Sequence, residues 1–417
     1  MMKYRTLDHP MIAMIRWDPE RPAEWINDHI AMVHAISNVY LVAGDDGDVV
    51  INSGTEQQGT RIREKFEELL GRPLDLRKLV FTQNHTDHIG GWQAFADPQT
   101  EILAQAMTPQ LVAERRVLAN FFTRRYTNVI SALMTGANQQ VGTPEILPDD
   151  MVLFDQDHEF TISGRRFAIE RLWSGETLDS VAIWLPAEQT VFTGNWAGAI
   201  HGAMPNFYTA RGDRQRSVPG WIAQCDALLS REPDMLITGH EQPISGADRI
   251  RAELGKVRDA VRFLHDATVE GMDEGRTLSD MMAQIRLPAE LELRDGRSPE
   301  RWVVRAVYEE YAGWFRHERT SELYALPHSD IWPDIVEGLG GPERVAAKAS
   351  EALAAGDPER ALHFIEMATD VAPESVPVRK VEIAVLEALA NASGLHAFDL
   401  LGWLEGRIAL ARRAMGE

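Results

Sequence analysis

Three potential metal ligands fall within four residues of this chain: His85, Asp87 and His88, in Phe81-Thr82-Gln83-Asn84-His85-Thr86-Asp87-His88-Ile89-Gly90-Gly91. The stretch follows a β-branched and aromatic run and precedes a helical pattern, so it reads as a loop at the C-terminal end of a strand. Zinc takes imidazole nitrogen and carboxylate oxygen at about 2.0–2.2 Å, in tetrahedral sets that leave one position for water where catalysis occurs. Ligands this tightly spaced require the backbone to turn around one point. Gly90-Gly91 permits that close approach. The bland alternative, a polar turn with surface histidines, suits a lone histidine pair better than this spacing. The only cysteine is Cys225, so an internal disulfide is excluded and a metal site must be built from histidines and carboxylates.

The elements that would carry such a loop are legible on either side of it. Residues 36–43 read as a strand, Gly44-Asp45-Asp46-Gly47-Asp48 as its hairpin turn and residues 48–52 as the returning strand. An amphipathic helix follows over 61–70, then a strand over 78–81. Further strands are expected at 167–172, 181–185, 190–193 and 235–238. Strands interleaved with helices predict a layered α/β domain. From Ala247 onward the apolar residues fall at helical spacing, as in Val257, Val261, Phe263 and Leu264. Gly338-Leu339-Gly340-Gly341-Pro342 breaks this region, and 346–355, 357–372 and 376–390 read as successive helices, somewhat like tetratricopeptide pairs.

Composition narrows the partners. The 417 residues, 44% hydrophobic, suffice for two domains with real cores. Lys plus Arg number 42 against 63 Asp plus Glu, a net charge of −21, which argues against nucleic acid or an anionic membrane surface as partner. An anionic substrate is not excluded, because a buried metal dominates its own local field. No run is apolar enough to span a bilayer, and the opening MMKYRTLDHPMIAMIRW lacks the features of a signal peptide, so a cytoplasmic location is expected.

The metal loop resembles the signature of the metallo-β-lactamase superfamily, T-H-x-H-x-D-H-x-G-G. Asn38-Val39-Tyr40-Leu41, Val49-Val50-Ile51-Asn52-Ser53-Gly54 and Gly239-His240 fall in the order that family shows. A closer resemblance covers nearly the whole chain, to the type III alkyl sulfatases. Ser174-Gly175-Glu176-Thr177 is similar to the segment that supplies that family's glutamate ligand. Tyr208-Thr209-Ala210-Arg211-Gly212 is similar to its Y-T-L-R-G, whose arginine looks toward the sulfate. The helical region from Arg305 to Ala368 resembles the family's dimerisation domain. The resemblance implies an αββα sandwich over residues 1–250, an all-α dimerisation domain over 251–417 and a homodimer.

It also implies two zincs, one held by position 83 with His85 and Glu176, the other by Asp87, His88 and His240. Here the chain departs from the pattern. Gln83 stands where a histidine belongs and Asn195 where a bridging carboxylate belongs. Two zinc ions bring four positive charges, against three at most from Asp87, Glu176 and a hydroxide. One ion held tightly by Asp87, His88 and His240 is therefore expected, with the other position weak or empty. Such an ion lowers the pKa of bound water to about 7. Asp87 is expected to orient that water, His85 and Glu176 to act as general base and acid, and Arg211 with Tyr208 to hold an anionic group. A small-molecule ester follows, a sulfate ester by resemblance. A lactam, lactone, carboxylic or phosphoric ester, or a degenerate binding protein, remains an alternative. Trp92, Phe121, Phe122, Trp196, Phe207 and Trp221 are candidates to line an apolar pocket, or simply core.

Overall fold

The computed structural model describes residues 2–130, 146–198 and 200–417. Seven strands run in chain order across one sheet: β1 (Glu24–Trp25), β2 (Ile30–Val33), β3 (Val39–Val42), β4 (Asp48–Ile51), β5 (Leu76–Val80), β6 (Glu101–Gln105) and β7 (Val152–Phe154). The first four pair antiparallel and the last four parallel. A second sheet holds β8 (His158–Ile162), β9 (Arg165–Arg171), β10 (Val181–Leu185), β11 (Thr190–Phe192), β12 (Met235–Ile237) and β13 (Ile244–Ser245), again in sequence order across the sheet.

Strand periodicity explains the layering. Val49 and Ile51 of β4 meet Ile183, Leu185 and Ile237 of the second sheet in a shared apolar interior. Val50, between them, faces the other way and packs with Ile62 and Phe66 of the helix Gly59–Leu70. On the second sheet, Ala182, Trp184 and Leu236 turn outward to Trp221, Val257 and Val261, from the helices Val218–Leu229 and Ala247–Asp273. Helix, sheet, sheet, helix is the αββα order. Each fully buried Val, Leu, Ile or Phe on these faces contributes about 1.5–3 kcal/mol.

One expectation changes at a place that matters. The strand read over 36–43 begins only at Val39. Ile36, Ser37 and Asn38 leave the sheet because their polar groups are taken by residues 239–241. The Asn38 amide donates to Gly239 O at 2.6 Å and its side chain to Glu241 O at 3.1 Å.

The chain divides into two compact units. Of the described residues, one holds 10–123 and 146–308, and residues 124–130 fall in the other. That other unit also holds Glu309–Glu417 and residues 2–9. In the second unit the helices Pro342–Ala354, Pro358–Val371, Val376–Ser393 and Phe398–Ala414 follow one another, with Ala346, Ala349, Ala361 and Ala368 allowing close approach. Gly356 at φ 81° makes the first turn, and Asp357 caps the next helix by accepting from the Arg360 amide at 3.0 Å. The N-terminal segment is tied to this unit. Thr6 donates to Glu405 through its hydroxyl at 2.6 Å and its amide at 3.2 Å. No helix of the described residues is long and apolar enough to cross a membrane.

Candidate metal centre

The metal loop leaves β5 and makes a single short helix, Thr86–Ile89, with the His88 amide donating to His85 O at 2.8 Å. A Cβ on Gly91 would lie 2.2 Å from Ser53 O, so the close approach expected of this glycine is real. Asp87, His88 and His240 converge, each offering a ligand atom within 4.8 Å of the others. Asp87 Oδ2 lies 3.8 Å from Nε2 of both His88 and His240. Bonds of about 2.0 Å at tetrahedral angles set ligand atoms roughly 3.3 Å apart, so this trio is close to a zinc geometry before any ion draws it in.

The donor set fits. His240 Nδ1 lies 2.6 Å from Ile36 O, which can only accept, so the proton is on Nδ1 and Nε2 offers its lone pair to the centre. His88 is fully buried. Burial, reinforced by the neighbouring imidazoles and opposed by Asp87, lowers its pKa to about 4, so it is neutral and ready to ligate at pH 7. For Asp87, burial pushes upward but the imidazoles of His88, His240 and His85 outweigh it, and the carboxyl stays ionised.

The other candidate ligands are gathered into a different group. Glu176 Oε2 accepts from Gln83 Nε2 at 3.0 Å and from Asn195 Nδ2 at 2.8 Å, and lies 3.2 Å from His85 Nδ1. Gln83 Nε2 also reaches His85 Nδ1 at 2.9 Å, and Gln83 Oε1 accepts from the Asn195 amide at 3.2 Å. Two side-chain amides thus direct N–H groups at the carboxylate that a second cation would otherwise face. Arg211 Nη2 lies 3.4 Å from Glu176 Oε1, while its Nε donates to Asp213 Oδ2 at 2.7 Å. Burial works to raise the Glu176 pKa, but His85, Arg211 and Arg297 hold it well below the ordinary carboxylate range. Tyr208 packs against the core on the second sheet's outer side, and its carbonyl accepts from Ser298 Oγ at 3.4 Å.

Several supporting residues escaped the sequence reading. Asp179, buried, accepts from Asn84, Thr108 and Thr177 at 2.7, 2.7 and 2.6 Å and so clamps the metal loop to the Glu176 loop. Ser37 Oγ lies 3.2 Å from His88 Nε2. Arg216 is buried against Trp196 O and Ser174 O at 2.8 and 3.1 Å, where desolvation lowers its pKa to about 10. They share no sequence signal: Ser37 interrupts an apolar run, whereas Asp179 and Arg216 lie among other polar residues.

Beside Glu176 opens a cavity of about 240 Å³, with Leu111, Leu118, Phe122 and Trp173 among its walls. Of the aromatic candidates, Phe122 alone lines it. Trp196 and Trp221 stack at 5.3 Å, with Phe207 edge-on to Trp221, all inside the core. Trp92 packs beside the helix Gly59–Leu70, its indole donating to Ile146 O at 2.6 Å. Phe121 is 43% exposed.

Comparison with known proteins places this geometry. Residues 34–240 match the model of the Metallo-beta-lactamase superfamily, and residues 277–397 that of Alkyl sulfatase dimerisation. A linear primary-alkylsulfatase of a Pseudomonas strain is 24% identical over 405 residues, covering 89% of this chain and 75% of that protein. An alkyl/aryl-sulfatase of Saccharomyces cerevisiae is 25% identical over 420 residues, covering 93% of this chain and 64% of that protein. The solved structure of a stereoselective inverting sec-alkylsulfatase from Pseudomonas sp. superposes with a TM-score of 0.80 at 22% identity, over 94% of this chain and 65% of that one. The chain thus spans three quarters of the first relative and just under two thirds of the other two. It carries a hydrolase domain of the metallo-β-lactamase superfamily, joined to an alkyl sulfatase dimerisation domain.

Proposed function

We propose that this enzyme hydrolyses a sulfate ester of an apolar alcohol, using one zinc ion held by Asp87, His88 and His240. The observation that carries this reading is the convergence of half-buried Asp87 with buried His88 and His240, beside a carboxylate already satisfied by amides. When bound, the ion supplies a Lewis acid and an activated water at neutral pH. Glu176 needs no second cation, since Gln83, Asn195 and Arg211 neutralise or hydrogen-bond it.

Charge then favours one class of ester. A divalent ion with neutral His88 and His240, ionised Asp87 and a bound water that keeps both protons carries a net charge of +1, and one unit less once that water is hydroxide. The former state matches the single charge of a sulfate monoester better than a phosphate monoester, whose second pKa near 6 leaves about −1.5 to −2 at pH 7. The neighbouring cavity adds little net charge, because Arg115, Arg214 and Arg216 in its walls face Glu114, Asp213 and Glu176. Its apolar walls suit the alcohol portion.

The chain's own residues divide the remaining work. Asp87 orients the attacking water. Glu176, held ionised, anchors His85 and Arg211 rather than donating a proton. His85 Nδ1 is occupied by Gln83, and its Nε2 is buried without a hydrogen-bond partner among the described residues. We assign Nε2–H as a hydrogen-bond donor that steadies the charge developing on the departing alcohol oxygen, which would take its proton from the water activated at the metal. Arg211 is engaged with two carboxylates and acts as a spacer for Glu176, with the anionic group met at the metal end instead.

Sulfate release should be measured from primary and secondary alkyl sulfates, alongside an alkyl phosphate, a lactone and a carboxylic ester. Turnover of the sulfates, lost together with bound metal in His240→Ala, is the expected result. Cleavage of the lactone or carboxylic ester alone would move the assignment to another bond, and metal-free wild type would move it to a binding protein.

A second copy of the chain is the partner we propose for the helical unit. Tyr311, Trp314, Tyr324 and Leu326 are each more than half exposed within the segment matched by the dimerisation model, an apolar concentration that surface residues rarely show without a partner. Light scattering should return twice the chain mass, and a monomer at micromolar concentration would remove the assignment.

A further inference from the structure

We infer that Thr82 and Asn52 form a positioning relay that sets the tautomer of His88, and so its affinity for the metal. The inference rests on the single-metal reading above. The Thr82 backbone N–H can only donate, and it points at Asn52 Oδ1 at 3.0 Å. The Asn52 atom facing it is therefore the amide oxygen, an acceptor. Thr82 Oγ1 lies 3.0 Å from that same oxygen, so the hydroxyl proton is committed there. What remains on Oγ1 is lone-pair density, directed at His88 Nδ1 at 3.1 Å. That nitrogen then carries the proton, and Nε2, the atom 3.8 Å from Asp87 Oδ2, is left with the lone pair a metal takes. The Ser37 hydroxyl, 3.2 Å from Nε2 and 3.1 Å from Gly239 O, is free to turn its proton to Nε2, because that carbonyl already accepts from the Asn38 amide at 2.6 Å.

The backbone around the relay is shaped to hold it. Asn52 sits at φ 64°, a left-handed conformation that asparagine tolerates better than most residues, with its amide bound to Val80 O at 2.9 Å. Thr82 O accepts from the Val181 amide at 2.9 Å, pinning the threonine between the two sheets. Gly194, at φ 53°, leaves room for the hydroxyl, since a Cβ there would lie 2.7 Å from Thr82 Oγ1. A backbone carbonyl, Ile36 O, performs the same service for His240. The two histidines thus reach one tautomer by different means, one through main chain and one through a side-chain pair that mutation can remove.

Thr82→Val keeps the shape and deletes the hydroxyl; Thr82→Ser restores it. Long-range proton–nitrogen NMR of the metal-free wild type should show His88 with its proton on Nδ1. In Thr82→Val the Nε2–H form should appear, and zinc affinity, read by competition with a chromophoric chelator, should fall about 10- to 100-fold. Thr82→Ser should stay within a few-fold of wild type. Two results would overturn the relay: an Nε2–H His88 in wild type, or a folded Thr82→Val that binds zinc like wild type. If Thr82→Val does not fold, the wild-type tautomer decides by itself. Wild type binding no zinc at all, with His88 protonated on Nδ1, would break the metal reading while leaving the relay standing.

Discussion

Two clusters of polar side chains flank one loop, and they meet the same electrostatic problem in opposite ways. Asp87, His88 and His240 bring one negative charge and two lone pairs to a point, an arrangement that a cation completes. Glu176, with Gln83, His85 and Asn195, also buries a negative charge, but amide N–H groups and Arg211 complete it from within the chain. A buried charge must be paired or hydrogen-bonded. The difference teaches that a metal position can be filled by exchanging ligands for donors: an imidazole or carboxylate invites a cation, whereas an amide nitrogen takes its place. Residues 85 and 87 are separated by one residue, yet they belong to different answers.

The largest test of that contrast converts the second cluster back into the first. Gln83→His with Asn195→Glu replaces both donors by ligands, and elemental analysis after dialysis should rise from about one zinc per chain to about two, the number two complete tetrahedral sites would hold. Two zincs in the wild type would abolish the distinction.

A smaller effect sharpens it from the side of the trio, in metal-free protein. Burial is the main cause holding His88 to a pKa of about 4, against about 6.5 when unfolded. A depressed histidine pKa means that the unfolded chain takes up the proton first as pH falls. Stability from this group is full above about pH 6.5 and is lost towards pH 4, by about 3 kcal/mol in all. Denaturant midpoints across that range should show the slope, and His88→Gln should flatten it. An unchanged slope in the variant would assign the loss to other groups.

Much of this was legible beforehand. The layered α/β class followed from strand and helix periods and the αββα order from the family resemblance, and β10 has the very bounds that its apolar run, Val181–Leu185, indicated. The ligand chemistry followed from three residues in the metal loop. The exposed aromatics of the helical unit were not distinguished from core, because helical spacing marks an apolar face without saying what covers it. The same limit applied to Trp196, Phe207 and Trp221, where residue type is equally consistent with pocket and core, and packing chose core. The stretch 36–38 read as strand because its apolar neighbours continue the pattern. Its true role depends on Gly239 and His240, some two hundred residues away in sequence.

The sequence by itself determined which atoms are available: imidazoles, carboxylates and two amides at defined places along a loop after a strand. Only the tertiary structure decided which of them face one another. Hydrogen-bond polarity is a property of pairs: Gln83 and Asn195 become substitutes for a cation only when the fold turns their nitrogens to Glu176, and His88 becomes a ligand only when Thr82 and Asn52 hold its other nitrogen protonated.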